Sequence, residues 1–242
     1  MGFFFDCVLA CGLFFLISQL FLDLEQLWRS HPGRPETTAS LGLARSDGVV
    51  WQLLATLTVT GLTSYGVYRL RCPATAEERR TAWNAWSLGR TWQWLAIGIV
   101  AVITINVIVT TLIAKLGVAI DPSNSMFIRK AMRLSPIFLT VFVVILAPLY
   151  EELLFRRVVF GRFLRAQQPR LGVFVSSLLF ALMHEIPGYS MNDWWALLSL
   201  WLIYGAMGCV LALVYQRTQA LWVSVVVHGC NNLLALLLLL LC

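Results

Sequence analysis

Four ionisable side chains lie close together inside an otherwise apolar stretch of this sequence. In "LYEELLFRRV", Glu151 and Glu152 are followed by Arg156 and Arg157. The runs before and after it, "SPIFLTVFVVILAP" and "VVFGRFL", are typical of a membrane-spanning segment. Each charge near a bilayer centre costs about 2.5–3.5 kcal/mol, so such residues are candidates for function by default.

Helical spacing places the carboxylates of Glu151 and Glu152 on different faces of the helix. Glu152 and Arg156 are four residues apart in the favourable acid-before-base order, so they can form an ion pair on one helix face. Glu151 is rotated by about 100° and cannot share that face fully. Pro148 lacks a backbone N–H one turn earlier, and we expect it to loosen the helix and admit water. The spacing therefore predicts that Glu151 meets some other group.

Two later apolar stretches carry polar pairs at the same spacing. "FALMHE" contains Phe180 and His184, and "HGCNN" contains His228 and Asn232. At 1.5 Å per residue, His184 lies about 20 Å and His228 about 14 Å along their stretches. Glu151 is near the middle of its own stretch, so the three groups can meet at similar depth. One carboxylate and two imidazoles are a suitable set for activating water.

Each of these features also has a structural interpretation. A single intramembrane histidine often serves only as a hydrogen-bonding group between helices, and Asn232 alone can do the same. Glu152 and Arg156 alone can be a clasp that holds helices together. Three such features on three separate stretches favour function over structure.

Composition predicts the elements that must position these residues. The chain has 242 residues, of which 59% are hydrophobic and 12% charged, with mean hydropathy +0.78. We expect an all-α polytopic membrane helix bundle of about seven spans, with eight possible and the catalytic core in the last four. The seven apolar stretches lie near 2–22, 48–70, 92–119, 135–165, 171–187, 194–215 and 219–241.

The remaining segments suggest a division into two regions. Residues 1–134 hold the N-terminal spans and loops, and residues 135–242 hold the catalytic core. Residues 23–47 are predicted to be a loop. Residues 71–91 are predicted to be an amphipathic surface segment whose tryptophans anchor at the membrane interface. The first stretch lacks a basic start and a clear cleavage site, so we expect a retained span rather than a signal peptide.

The three motifs together resemble those of the CPBP family, the CAAX proteases and bacteriocin-processing enzymes also called Abi or type II CAAX prenyl endopeptidases. The pattern is E-E-x-x-x-R, then F-x-x-x-H, then H-x-x-x-N, in that order. The resemblance covers roughly residues 135–241. One departure is Arg157, which stands where the family commonly has glycine after the motif arginine.

The resemblance implies an intramembrane endopeptidase. Glu151 would be the general base, and His184 would help to polarise the attacking water. His228 and Asn232 would stabilise the oxyanion of the tetrahedral intermediate. The supporting residues would be Glu152, Arg156 and Phe180.

We expect no tightly bound catalytic metal, because no HExxH pair places two histidines on one helix face. Zn²⁺ bound through Glu151, His184 and His228 is the alternative. The expected partners are the lipid bilayer and a membrane-embedded or lipid-modified peptide substrate, with no role for nucleic acid.

Two other functions remain open. One is a non-catalytic membrane scaffold or bacteriocin immunity protein, and the other is a proton-coupled transporter. Lys and Arg are more frequent around 69–90, 156–170 and 217 than in the connections on the opposite side. This bias predicts a multi-pass plasma-membrane protein with a cytoplasmic N-terminus.

Overall fold

The computed structural model describes residues 2–29, 46–188 and 190–241, and within them the regular structure is entirely helical. The predicted all-α membrane bundle is confirmed. The helices in chain order are α1 (Gly2–Arg29), α2 (Ser46–Arg71), α3 (Ala76–Asn84), α4 (Gly89–Lys115), α5 (Ser125–Leu134), α6 (Pro136–Arg165), α7 (Pro169–His184), α8 (Trp194–Thr218) and α9 (Leu221–Leu241).

Four of these helices are long and apolar enough to cross a membrane, judged by length and composition over the described residues. They are α4, α6, α8 and α9. The apolar parts of α1 and α7, Val8–Leu24 and Pro169–His184, are shorter. An integral membrane protein is therefore established, and the count of seven spans stays a prediction.

The first connector is shorter than the sequence predicted. The loop was expected over 23–47, but α1 continues to Arg29 and α2 begins at Ser46. Residues 23–29 contain no proline or glycine, the two residues that most often end a helix, and these appear only at Pro32 and Gly33. The prediction of a loop was wrong over 23–29 and 46–47, and residues 30–45 lie outside the described part.

α6 is helical throughout but contains two wide turns, at Phe142–Leu146 and Leu153–Phe160, in which N–H groups reach back five residues. Pro148 lies between them and cannot donate to the carbonyls one turn earlier. The N–H of Ala147 reaches past Val143 to the carbonyl of Phe142. The carbonyl of Val143 is therefore open to a side-chain donor.

Helices α4, α7 and α9 pack closely against α8. A Cβ on Gly208 of α8 would lie 2.9 Å from Ser177 Cα of α7. A Cβ on Gly98 of α4 would lie 2.8 Å from a methyl of Val214 of α8 and 2.9 Å from one of Val227 of α9. Small residues at these crossings let the backbones approach, as is usual in membrane bundles.

Ion pairs hold one end of the bundle together. Asp6 of α1 is buried and pairs with Arg71, at the end of α2, over 2.8 Å. Asp6 also pairs with Arg162, near the end of α6. The start of α1 and the ends of α2 and α6 therefore lie at the same end of the bundle.

The tryptophans predicted to anchor at the interface lie at this same end. Trp86 stacks on Trp222 at the start of α9, with ring centroids 4.2 Å apart, and Trp92 packs against both. Trp222 Nε1 donates to the carbonyl of Ala82 in α3 over 3.2 Å. Trp83 is exposed. The amphipathic segment is thus tied to α9 by aromatic packing.

Candidate active site

Glu151 lies between the two histidines of the sequence motifs. Its Oε2 atom is 3.7 Å from His184 Nε2 and 3.8 Å from His228 Nε2. Both distances exceed that of a hydrogen bond. Glu151 and His184 each keep 20% of their side-chain surface exposed, whereas His228 is buried. The structure thus brings together three groups from α6, α7 and α9.

The hydrogen bonds of the two imidazoles define which nitrogen carries a hydrogen. His184 Nδ1 is 2.8 Å from the carbonyl oxygen of Phe180, which can only accept. His228 Nδ1 is 3.0 Å from Glu152 Oε1. Each Nδ1 is therefore the nitrogen that donates, and Nε2 is the nitrogen of each ring that faces Glu151. Among the described residues, Glu151 Oε2 receives no hydrogen bond.

Glu152 lies behind this surface and is completely buried. Its Oε2 atom is 2.9 Å from Nε of Arg156, and its Oε1 atom binds His228. The pairing of Glu152 with Arg156 predicted from their spacing is present. The contact with His228 was not predicted, and it means that Glu152 links the arginine to a motif histidine. Arg156 also reaches Ser176 Oγ at 3.5 Å.

Aromatic rings fix the plane of His184. Its ring lies between Phe180, with centroids 4.3 Å apart, and Tyr204 of α8, with centroids 4.5 Å apart. Phe180 also contacts His228, at 5.6 Å, and lies under the guanidinium of Arg156, at 4.9 Å. Phe180 is therefore the apolar contact shared by three motif side chains.

Asn232 binds the open carbonyl in the first wide turn of α6. Its Nδ2 donates to the carbonyl of Val143 over 2.9 Å. One turn earlier in α9, a Cβ on Gly229 would overlap the carbonyl oxygen of Val144. Only glycine allows this approach of α9 to α6. The residues "HGCNN" therefore fit the wide turn that precedes Pro148.

Three residues near these groups were not predicted from the sequence. Tyr204 packs on His184, and Asn231 donates to Asn232 Oδ1 over 3.4 Å. Asn106 of α4 donates to Asn231 Oδ1 over 2.5 Å. For Asn106 the sequence carried one signal, an amide side chain in the middle of the apolar run "ITINVIV". Such a group is costly in a membrane unless it has a hydrogen-bond partner.

Arg157 does not join the site, although it follows Arg156 directly. Its guanidinium binds both carboxylate oxygens of Glu78 in α3, over 3.0 and 2.6 Å, and the carbonyl of Pro73 over 3.3 Å. The side chain of Thr75 caps the start of α3, and its N–H donates to Glu78. The hydrogen bond from Arg157 lowers the pKa of Glu78 to about 2.

The part of the chain that the structure describes contains no group of three or more His, Cys, Asp or Glu side chains with the geometry of a metal site. The predicted alternative zinc ligands are Glu151, His184 and His228. The structure places Glu151 Oε2 3.7 and 3.8 Å from the Nε2 atoms of these two histidines. The cofactor requirement therefore remains a prediction in both of its forms.

Comparison with known proteins identifies the region that carries this geometry. Residues 133–234 match the Rce1-like type II CAAX prenyl endopeptidase family. This range contains every site residue predicted from the sequence, and it begins after Asn106.

Two curated relatives are similar to this chain at 31% and 27% sequence identity. The chain is 31% identical over 147 residues to the membrane-embedded CAAX protease MroQ of Staphylococcus aureus (strain USA300), covering 57% of this chain and 54% of the relative. It is 27% identical over 116 residues to the putative membrane peptidase YdiL of Bacillus subtilis (strain 168), covering 48% and 43% respectively. The chain thus spans about half the length of these relatives. No solved structure matches the chain.

Proposed function

We propose, from the match of residues 133–234 to the CPBP family of CAAX-type membrane proteases, that this chain is an intramembrane endopeptidase of that family. The proposed reaction is hydrolysis of a peptide bond in a membrane-associated substrate by water activated at Glu151 and His184. The substrate class is a CAAX-type prenylated protein or a peptide with a leader sequence.

The observation that carries this proposal is the arrangement around Glu151 Oε2. This oxygen faces two Nε2 atoms at 3.7 and 3.8 Å, and both rings use their Nδ1–H elsewhere. Three acceptors facing one another need hydrogens between them. Water supplies two, so a water held here donates to Glu151 and to an imidazole, which raises its nucleophilicity.

The proposed steps follow from these hydrogen bonds. The water oxygen attacks the scissile carbonyl while Glu151 takes its proton. A proton taken from solvent onto His228 Nε2 when substrate binds supplies the third hydrogen of the site, and this N–H and the second N–H of the Asn232 amide can donate to the oxyanion. Glu152, bound to His228 Nδ1, stabilises the charged form of that ring. Finally, the proton held by Glu151 passes to the leaving amine as the C–N bond breaks.

The test compares the wild-type protein with Glu151→Gln in the membranes of its host cell. New peptide N-termini are quantified by mass spectrometry, and the strongest site is repeated as a synthetic peptide with purified protein in proteoliposomes. Glu77→Gln, an exposed glutamate of α3, is the matched control. We expect N-termini that disappear only in Glu151→Gln.

Other outcomes identify the competing functions. Identical N-termini in wild type and Glu151→Gln would refute hydrolysis and favour a scaffold or immunity role. Proton flux lost in Glu151→Gln without any cleavage would favour the transporter. Cleavage abolished by a chelator and restored by stoichiometric Zn²⁺ would replace the metal-free mechanism by the zinc alternative.

We also propose a plasma-membrane location with a cytoplasmic N-terminus. The ion pairs of Asp6 with Arg71 and Arg162 support a common side for the start of α1 and the ends of α2 and α6, which is the side rich in basic residues. A cysteine introduced at Gly2, labelled in intact cells and in inverted vesicles, tests the orientation. Labelling of intact cells by a membrane-impermeant reagent would contradict it.

A further inference from the structure

Three asparagines form a row between α4 and α9 inside the bundle. Asn106 Nδ2 donates to Asn231 Oδ1 over 2.5 Å, and Asn231 Nδ2 donates to Asn232 Oδ1 over 3.4 Å. Asn232 Nδ2 then donates to the carbonyl of Val143 over 2.9 Å. The row therefore runs from α4, through α9, to the wide turn of α6.

Each asparagine in the row donates to the next group, so the hydrogen bonds all run from Asn106 toward the carbonyl of Val143. Asn231 uses its oxygen for Asn106, and its nitrogen for Asn232 and for Met207 Sδ at 3.3 Å. The carbonyl of Val143, which can only accept, sets the direction of the row, and Asn106 supplies the donor that Asn231 Oδ1 needs in that direction. An Asn231 amide rotated by 180° would instead place its Oδ1 against Oδ1 of Asn232, so that two acceptors face each other, which is unfavourable.

The orientation of Asn232 is set by Asn231 on one side and by the carbonyl of Val143 on the other. With Oδ1 of Asn232 accepting from Asn231, its Nδ2 must lie on the side of Val143. One N–H of this nitrogen binds the carbonyl and the second remains for another acceptor. A rotated Asn232 would instead bring Oδ1 against the carbonyl oxygen of Val143, and its N–H groups would point away.

We propose that Asn106 is a positioning residue for the reaction: by donating to Asn231 Oδ1 it keeps Asn231 Nδ2 on Asn232 Oδ1, which together with the carbonyl of Val143 holds the Asn232 amide where it keeps an N–H for the oxyanion. This inference rests on the proposed function. It gives α4, which precedes the matched range 133–234, a defined role in the chemistry performed by α6, α7 and α9.

A purely structural role for Asn106 predicts a different result. Interhelical hydrogen bonds of asparagine stabilise membrane bundles whether or not a reaction occurs. Loss of such a bond lowers the melting temperature and the amount of folded protein, but the turnover of the folded fraction stays the same. Loss of a positioning residue lowers kcat, while KM changes little because the oxyanion exists only after substrate has bound.

The experiment measures kcat, KM and melting temperature of the full chain in proteoliposomes, with the peptide that spans the strongest Glu151-dependent cleavage site. The variants are Asn106→Leu, Asn232→Leu and the double variant. Asn106→Thr is the second test, since its hydroxyl is too short to reach Asn231. Thr104→Val, an exposed polar residue of the same helix, is the control.

We expect Asn106→Leu and Asn106→Thr to lower kcat about tenfold with KM within about twofold, as a small misplacement of a reacting group does. In the Asn232→Leu background, Asn106→Leu should lower kcat no further, because the two act as one unit. Thr104→Val should match wild type.

Two results would overturn the inference. The first is wild-type kcat in folded Asn106→Leu and Asn106→Thr while Glu151→Gln is inactive, which leaves the proposed function intact. The second is a kcat loss that adds in full to that of Asn232→Leu. Equal cleavage by wild type and Glu151→Gln would instead refute the proposed function and this inference with it.

Discussion

α6 carries two groups of charges that differ in how completely they are paired. The inner cluster consists of Glu151, Glu152 and Arg156 with His184 and His228. The end cluster consists of Arg157 and Arg162 with Glu78, Asp6 and Arg71. In the end cluster, the Glu78 carboxylate accepts three hydrogen bonds, at 2.6, 2.8 and 3.0 Å. In the inner cluster, Oε2 of Glu151 accepts none from the described residues.

This difference in hydrogen bonding distinguishes charges that stabilise the fold from charges that can react. A carboxylate whose oxygens are saturated by donors has no capacity left for a proton from water. Glu151, with a free oxygen beside two basic nitrogens, has that capacity. Arg156 and Arg157 are adjacent in sequence yet belong to different clusters, because successive helical residues point about 100° apart.

Glu152→Ala should have the largest effect, because it affects both the fold and the reaction. Arg156 would remain buried without its carboxylate, which costs about 3–5 kcal/mol in other broken buried pairs, and His228 would lose its Nδ1 acceptor. We expect poor expression, a lower melting temperature and no cleavage. The additional change Arg156→Met should recover part of the stability without activity. A double variant no more stable than Glu152→Ala would show that the pair is not the cause.

Glu151→Gln should abolish activity selectively. Turnover should fall by about 10² or more, the contribution of a general base. The melting temperature should stay near wild type, because a neutral amide is cheaper to bury than a carboxylate. Cleavage rate and melting temperature in detergent provide the check. If Glu151→Gln is fully active while Glu152→Gln is inactive and well folded, the two glutamates have the opposite roles.

Gly229→Ala tests the contact between α9 and the wide turn of α6. The new methyl would overlap the carbonyl oxygen of Val144, so the backbones must separate. Overpacking of this kind costs about 1–3 kcal/mol, and it should displace His228 and Asn232. The control is Gly205→Ala in α8, where nothing lies within 4 Å. Equal melting temperatures and rates for the two variants would contradict the tight contact.

Glu78→Gln should have the smallest effect, a loss of stability of no more than about 1 kcal/mol with unchanged turnover. The pKa of Glu78 is lowered from 4.5 to about 2 by Arg157. A lowered pKa means that the pair stabilises the fold above pH 4.5 and is lost as the pH falls toward 2. Melting temperatures of the variant and wild type should therefore differ at pH 6 and converge at low pH. A difference that persists at pH 2 would refute this pairing.

The sequence was sufficient to predict the pairing of Glu152 with Arg156 and the approach of Glu151 to both histidines. Those predictions used only helical spacing and depth. The contact of Glu152 with His228 joins residues 76 positions apart, and spacing within one helix says nothing about it. The wide turns of α6 were also missed, although Pro148 indicated a weakened helix. Asn106 was missed because a single amide in an apolar run does not identify its partner.

The burial of Glu152 has a consequence for biosynthesis. Its partner His228 is made 76 residues later, which at about 5–20 residues per second is a delay of roughly 4–15 s. During this time α6 carries charges that lipid does not solvate, while the helix that completes their pairing is still on the ribosome. We expect α6 to remain at the insertion machinery, beside water, until α9 arrives. A chain that stops before His228 should therefore be released from the membrane or degraded there.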